Sequence, residues 1–218
     1  MKAWSYSMLT AFETCPHQFY RVRVLKDVVE EQGEAALWGD RVHKALENRV
    51  RDQEPLPEWA AQWEPLAAKF DAFRGRVACE VPVGITKNFK PTGFWDADCW
   101  FRAKIDVVVY GRRALDGDYK TGKKKDDFDQ IALSAAALMH GCPETQSVLG
   151  KYYWLKFGES STKEIHRDEI PAIWQEFIPR VARLEAAHDN DRWPKKPSGL
   201  CNGWCPVKDC SFWKPKRR

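Results

Sequence analysis

The sequence predicts an α/β protein, and three observations carry that prediction. The first third repeats apolar residues at the 3.6-residue period of helices; runs of β-branched and aromatic residues follow; helical and extended patterns then alternate to residue 191. With 218 residues and 44% hydrophobic content, the chain can bury one sizeable core and is short for two large ones. A single domain over residues 1–218 is expected, divided into a helical segment (1–75), a core (76–158), and a helix with a cysteine-rich tail (159–218).

Taken in order, SYSMLTAFETCPHQFYRVRVL (5–25) reads as a helix capped by Ser5 or Ser7 and interrupted or restarted at Cys15-Pro16. ALWGDRVHKALENRV (36–50) has apolar residues at 38, 42, 45, 46 and 50, one face of a helix, and PEWAAQWEPLAAKFDAFRG (57–75) is helical up to Gly75. VACEVPVGI (77–85), FWDADCWFRAKIDVVVYG (94–111) and ALDGDYKTG (114–122) suit strands. DDFDQIALSAAALMHG (126–141) is an alanine-rich helix stopped by Gly141, and SVLGKYYWLKF (147–157) is a strand. EIPAIWQEFIPRVARLEAAHDND (169–191) is a helix with Pro179 as a kink or break.

Charge narrows the function only a little. A net charge of +4 with 30% charged residues does not establish a nucleic-acid partner. The clusters RVRVLK (21–26), GKKK (122–125) and KPKRR (214–218) would suit phosphate, or simply water. No apolar run is long enough for a bilayer and the N-terminus lacks a signal peptide's apolar core, so no membrane partner and a cytoplasmic location are expected. Seven cysteines without an export signal argue against a disulfide framework and leave buried thiols or metal and cluster ligands.

The most informative stretch is LDGDYKTGK (115–123). If residues 111–113 form a loop, Tyr110 pairs with Ala114, and the same register sets Asp106 opposite Asp118; a loop one residue shorter makes the two carboxylates diagonal neighbours, still close enough to share an ion. Opposed residues of an antiparallel pair have Cβ atoms about 5 Å apart. Lys120, two residues on, shares the face of Asp118. Two carboxylates and an amine at one spot suit a hard cation such as Mg²⁺ or Mn²⁺, which keeps positions for water and phosphate. On an exposed hairpin the same residues would be ordinary surface charges.

IDVVV (105–109) followed by DYKTGK (118–123) resembles the core motif of the PD-(D/E)XK nuclease superfamily, in its RecB-like branch. The resemblance implies a restriction-endonuclease-like core, a central mixed β-sheet flanked by helices. It also implies catalytic roles for Asp106, Asp118 and Lys120, with the Tyr119 carbonyl as a further metal ligand. WGDRVHKALE (38–47) is similar to the family's G-x-x-x-H helix, which implies a metal- or phosphate-contacting His43. DQIALSAAAL (129–138) is similar to the helix after the core, where Gln130 would face the site. SMLTAFETCPHQFY (7–20) resembles the family's N-terminal entry, S-x-L-x-x-F-x-x-C-P-x-x-F. Two features depart from the pattern. Asp116-Gly117 replaces apolar residues, so the strand is expected to begin late or bulge, with Asp116 as a competing ligand. Glu80 is either a supporting or second-metal carboxylate, or an edge-strand surface residue.

In the tail, CNGWCPVKDC (201–210) groups Cys201, Cys205 and Cys210. With Cys15 they resemble the iron–sulphur arrangement of AddB-type and CRISPR-adaptation nucleases, which implies a 4Fe–4S cluster clipping the tail to the N-terminal helix. The spacing departs from the usual C-x-x-C, and four thiolates suit Zn²⁺ equally, so zinc and free thiols stay open. Cys79, Cys99 and Cys142 read as core. Together the resemblances imply a metal-dependent DNA nuclease, an exonuclease on ends or single strands in recombination, repair or processing, with a helicase or recombination protein as partner. The alternative is a non-catalytic nucleic-acid-binding module stapled by zinc or a cluster.

Overall fold

The computed structural model describes residues 3–125 and 127–215. These form two compact units, residues 33–174 and residues 3–32 with 175 onward. The strands are β1 (Val77–Thr86), β2 (Pro91–Thr92), β3 (Cys99–Val109), β4 (Arg113–Lys120), β5 (Ser147–Trp154) and β6 (Glu159–His166). The helices are α1 (Tyr6–Thr14), α2 (Pro16–Phe19), α3 (Glu34–Arg51), α4 (Glu64–Ala67), α5 (Asp129–Gly141) and α6 (Ile170–Asp189).

The larger unit is built on one sheet in the order β2-β1-β3-β4-β5-β6. The β4–β5 pair is parallel and the other four pairings are antiparallel, so the sheet is mixed. A parallel pair needs a long crossover, and α5 supplies it. On one face, Val42, Leu46 and Val50 of α3 join Trp63 and Phe70 over Val107 and Tyr153. Burying each such side chain is worth about 1.5–3 kcal/mol. On α5, every residue from 131 to 139 is buried, which accounts for its apolar composition all round. That helix lies close to the sheet: a Cβ on Gly150 would sit 2.0 Å from Ile131 Cγ2.

The structure departs from the sequence reading in four places, each with a physical cause. Residues 58–73 are two 3₁₀ turns around α4 rather than one helix, since Pro57 and Pro65 lack the N–H that a long helix needs. β3 starts at Cys99, because the Asp96 carboxylate accepts hydrogen bonds from Gly93 N–H (2.8 Å) and Thr92 Oγ1 (3.1 Å) and holds a turn before it. β6 had no sequence signal: it is a mostly exposed edge strand whose only buried side chain is Ile165. α6 runs unbroken through Pro179, with Phe177 and Val181 buried on either side of it.

The smaller unit contains α1, α2, most of α6 and the tail. Ser5 caps α1 by accepting from Met8 N–H at 3.3 Å. Trp193 stacks on Tyr20 with centroids 5.2 Å apart and packs edge-on against Phe12. Among the described residues, no helix is long and apolar enough to cross a membrane.

Candidate active site

Val109, Val108 and Val107 pair with Leu115, Asp116 and Gly117. One further step along that register sets Asp106 level with Asp118. The ladder stops there, and the freed groups serve the site. Tyr119 N–H donates to Asp106 Oδ2 at 2.8 Å, so a ladder donor now holds a carboxylate. Lys120 Nζ lies 2.7 Å from Asp118 Oδ2. Gln130, in the first turn of α5, ties the two together: its Nε2 donates to Asp118 Oδ2 at 2.7 Å and its Oε1 accepts from Lys120 Nζ at 3.0 Å.

His43 enters from α3. Val42 and Leu46 are buried in the core, which fixes the helix's rotation and sets His43 at the edge of the sheet. Its Nε2 is 2.7 Å from the Tyr119 carbonyl oxygen and its Nδ1 is 3.4 Å from Asp106 Oδ2. Burial pulls the imidazole's pKa down, but the Asp106 carboxylate and the Tyr119 carbonyl outweigh it and raise it to about 9. At neutral pH the ring is therefore charged, with a proton on each nitrogen.

Glu80 completes the acidic side. The β1–β3 pairing runs Cys79↔Val107 and then Val81↔Ile105, so Glu80 and Asp106 lie opposite each other without forming a ladder pair. Glu80 has φ 53, a left-handed conformation that costs a non-glycine residue about 1–3 kcal/mol. The kink turns its carboxylate toward the site: ligand atoms of His43, Glu80 and Asp106 all lie within 4.8 Å of one another. Lys104 forms an ion pair with Glu80.

Asp116 does not join this cluster. β4 runs without a bulge from Arg113 to Lys120, and Asp116 is fully buried against Ser134 of α5, whose Oγ donates to its carboxylate. Burial, reinforced by the nearby Asp118 charge, raises its pKa to about 8 despite the Ser134 hydrogen bond. Asp118 is raised to about 6 by burial and by Asp106, with Lys120 opposing. Gly117 is required by packing, since a Cβ there would lie 2.7 Å from Val107 Cγ1 and 3.0 Å from Tyr153 Cε2. The Asp-Gly departure thus reflects space for Tyr153 in a regular strand.

Carboxylate oxygens, an imidazole and a backbone carbonyl are the donors a divalent cation of the magnesium or manganese type takes. The residues present fit such an ion. Positive groups of the chain occupy those donors here: Lys120 on Asp118, and His43 on Asp106 and the Tyr119 carbonyl. The structure therefore draws His43, Asp106, Asp118, Tyr119, Lys120 and Gln130 together and adds Glu80 beside Asp106. The sequence reading missed Lys104 and Ser134. Their signals were spacing: Lys104 is two residues before Asp106, and Ser134 is one helical turn after Gln130.

In the smaller unit, Cys15, Cys201, Cys205 and Cys210 line one pocket. Burial and the charges of the other three push the Cys205 thiol's pKa up. Backbone hydrogen bonds shape the tail around it, among them Cys205 N–H to Leu200 O (2.8 Å) and Lys214 N–H to Cys201 O (2.8 Å). Of the basic clusters, RVRVLK is largely neutralised: Arg21 pairs with Asp27 and Asp209, and Arg23 with Glu30. In GKKK, Lys124 pairs with Glu159. Residues 216–218 of the third cluster lie outside the described residues.

The sheet, its flanking helices and this donor set define a class: an α/β protein with acidic side chains and an imidazole gathered at adjacent strands, a set that could hold a metal ion. A sequence profile of the PD-(D/E)XK nuclease superfamily matches residues 3–210. The chain belongs to that superfamily, whose nucleases use divalent metals. No curated protein matches the chain in sequence. Among solved structures, it is similar to SSO0001 at 12% identity, covering 82% of this chain and 76% of that one, with a TM-score of 0.44. It is also similar to a protein of Eubacterium rectale named "Putative exonuclease", at 15% identity, covering 91% of each chain, with a TM-score of 0.48.

Proposed function

We propose that this chain hydrolyses phosphodiester bonds of DNA with Mg²⁺ or Mn²⁺, as an exonuclease of the RecB-like branch acting on ends or single strands. The observation that carries the reading is the meeting of Asp106, Asp118, Lys120 and His43 around the Tyr119 peptide. Asp106, Asp118, His43 and the Tyr119 carbonyl would hold the ion, with Glu80 beside them. When bound, it would acidify a water and offset charge building on the phosphate. His43 must release one proton before its nitrogen can serve as a ligand. Lys120 gives up its contact with Asp118 and donates to the attacking water or a phosphate oxygen, stabilising the charge-rich transition state. Gln130 keeps Lys120 aimed at the site as that contact is exchanged. An unpaired strand is favoured by Trp38, an exposed indole 5.1 Å from Trp59, over which Arg41 lies at 4.4 Å.

The four cysteines fit a metal group whose work is to clip the tail to the start of α2. Tetrahedral zinc with bonds of about 2.3 Å would draw the sulfurs to about 3.8 Å apart. A 4Fe–4S cluster, which also takes four thiolates, holds them farther apart, and the resemblance to iron–sulphur nucleases favours it over zinc. A role in recombination, repair or processing with a helicase partner in the cytoplasm follows from the family resemblance. The deciding experiment incubates purified protein with end-labelled DNA and Mn²⁺. Cleavage that disappears in Lys120→Ala while binding persists supports the nuclease. No cleavage of any nucleic acid across a metal screen would leave a non-catalytic binding module. Iron and a brown colour after anaerobic purification support the cluster; zinc alone, or no metal, removes it.

A further inference from the structure

The smaller unit has an open groove of about 830 Å³ that the carboxylate site does not use. Its lining combines apolar residues, among them Pro16, Ala186 and Pro194, with the cations Arg183, Arg192 and Lys196. Glu13 is the one carboxylate lining it, and it is already engaged. Arg180 binds it through two hydrogen bonds of 2.9 and 2.8 Å, and Arg183 lies 3.5 Å away. Lys196 Nζ donates to the neutral Glu13 carbonyl at 2.5 Å, and Arg192 makes no ion pair with any described residue. Three cations thus line the groove beside a single carboxylate that Arg180 already pairs, a surplus that calls for an anionic occupant.

The apolar part of the lining narrows the choice of anion. Apolar and cationic side chains in one groove suit a chain of phosphates carrying apolar planar groups. An open groove admits a polymer where a closed pocket would not. Only unpaired bases leave their faces free to meet apolar residues. We propose that this groove binds single-stranded nucleic acid, holding the strand through phosphate contacts without taking part in cleavage. The proposal rests on the nuclease reading for its choice of polymer. Groove and thiols share a wall, since Lys196 lines both and Pro16 follows Cys15. The segment bearing Pro194 and Lys196 therefore depends on how the tail is clipped.

Anisotropy of a labelled single-stranded oligonucleotide in EDTA, where no metal-dependent cleavage occurs, measures the hold alone. Each phosphate contact to a single strand contributes about 0.7 to the slope of log K against log salt. The double variant Arg183→Gln/Arg192→Gln should lower that slope by about 1.4 and weaken binding about 10–30-fold at 0.1 M salt. Because Arg183 also touches Glu13, Arg192→Glu alone serves as the second variant, with the same direction expected and circular dichroism confirming its fold. Affinity and slope unchanged in both variants overturn the proposal, as does a duplex that competes as well as the single strand. A wild-type protein that cleaves while both variants bind normally sinks the groove and spares the nuclease. The reverse, lost binding in the variants with no cleavage by wild type, sinks the nuclease and spares the groove. No binding by wild type in EDTA overturns the groove and leaves the nuclease to the cleavage assay.

Discussion

The two units assemble their reactive groups in opposite ways. In the larger one, the candidate groups project from strands or helices, and neighbouring cations and amide donors fix the carboxylates in place. In the smaller one, three of the four thiols come from the tail beyond the last long helix, shaped by local backbone hydrogen bonds. The first site is preorganised by contacts among its own side chains and the Tyr119 peptide. The second rests on backbone hydrogen bonds of the tail and, in the function proposed above, on a metal group held by its sulfurs. Removing a group should therefore damage chemistry in one unit and structure in the other.

The sharpest way to break this contrast is Asp106→Asn. The loss of one charge from the donor set should lower cleavage by about 100-fold or more. The metal-free protein should keep its melting temperature, because the substitution also relieves repulsion with Asp118. A melting temperature that collapses would mean that the carboxylates hold the fold together. The opposite outcome is expected of Cys205→Ser: limited proteolysis should open the tail near residues 193–213, while cleavage of short substrates falls less than in Asp106→Asn. Equal losses in the two variants would erase the distinction between the units.

How far each site could be read from sequence follows the same divide. Strand periodicity is strict, so a loop at 111–113 was enough to place Asp106 against Asp118, and the observed register agrees at three successive pairs. Gln130 and His43 needed the family resemblance, because a helix face reveals itself only through its apolar stripe. The position of Glu80 depends on one left-handed residue inside a strand, and neither composition nor alternation signals it. β6 stayed hidden because a mostly exposed edge strand with one buried side chain, Ile165, has no apolar alternation. The tail, lacking any period, showed that its thiols cluster and left open what they hold.

Gly117→Ala tests whether the strand bearing Asp118 depends on space. The new methyl would meet Val107 and Tyr153 at 2.7 and 3.0 Å. Overpacking of this kind costs about 1–3 kcal/mol, offset by up to about 1 kcal/mol from a stiffer unfolded chain. At about 2–4 °C per kcal/mol for a chain of this size, the melting temperature should drop by several degrees, with a smaller loss of cleavage than in the cysteine variant. A neutral result would mean that Tyr153 can move aside, and that the Asp-Gly pair is not required by packing.

Asp116→Asn should affect cleavage least and reveal most about the burial beneath the site. The folded protein holds the Asp116 proton up to about pH 8, whereas the unfolded chain releases it near pH 4. Between those values the folded state binds more protons, so this residue's contribution is fully present below about pH 4. It is lost as pH rises toward 8, by up to about 1.4 kcal/mol per unit. An asparagine can still accept the Ser134 hydrogen bond and carries no titrating proton. Denaturant midpoints of the metal-free variant should therefore fall less steeply with pH than those of wild type. The residual slope sums Asp118 and His43, which are also raised and act in the same direction, with His17, His140 and His188, which burial lowers and which oppose them. Parallel slopes in the two proteins would mean that Asp116 is ionised in the fold, and that Ser134, not a proton, balances its burial.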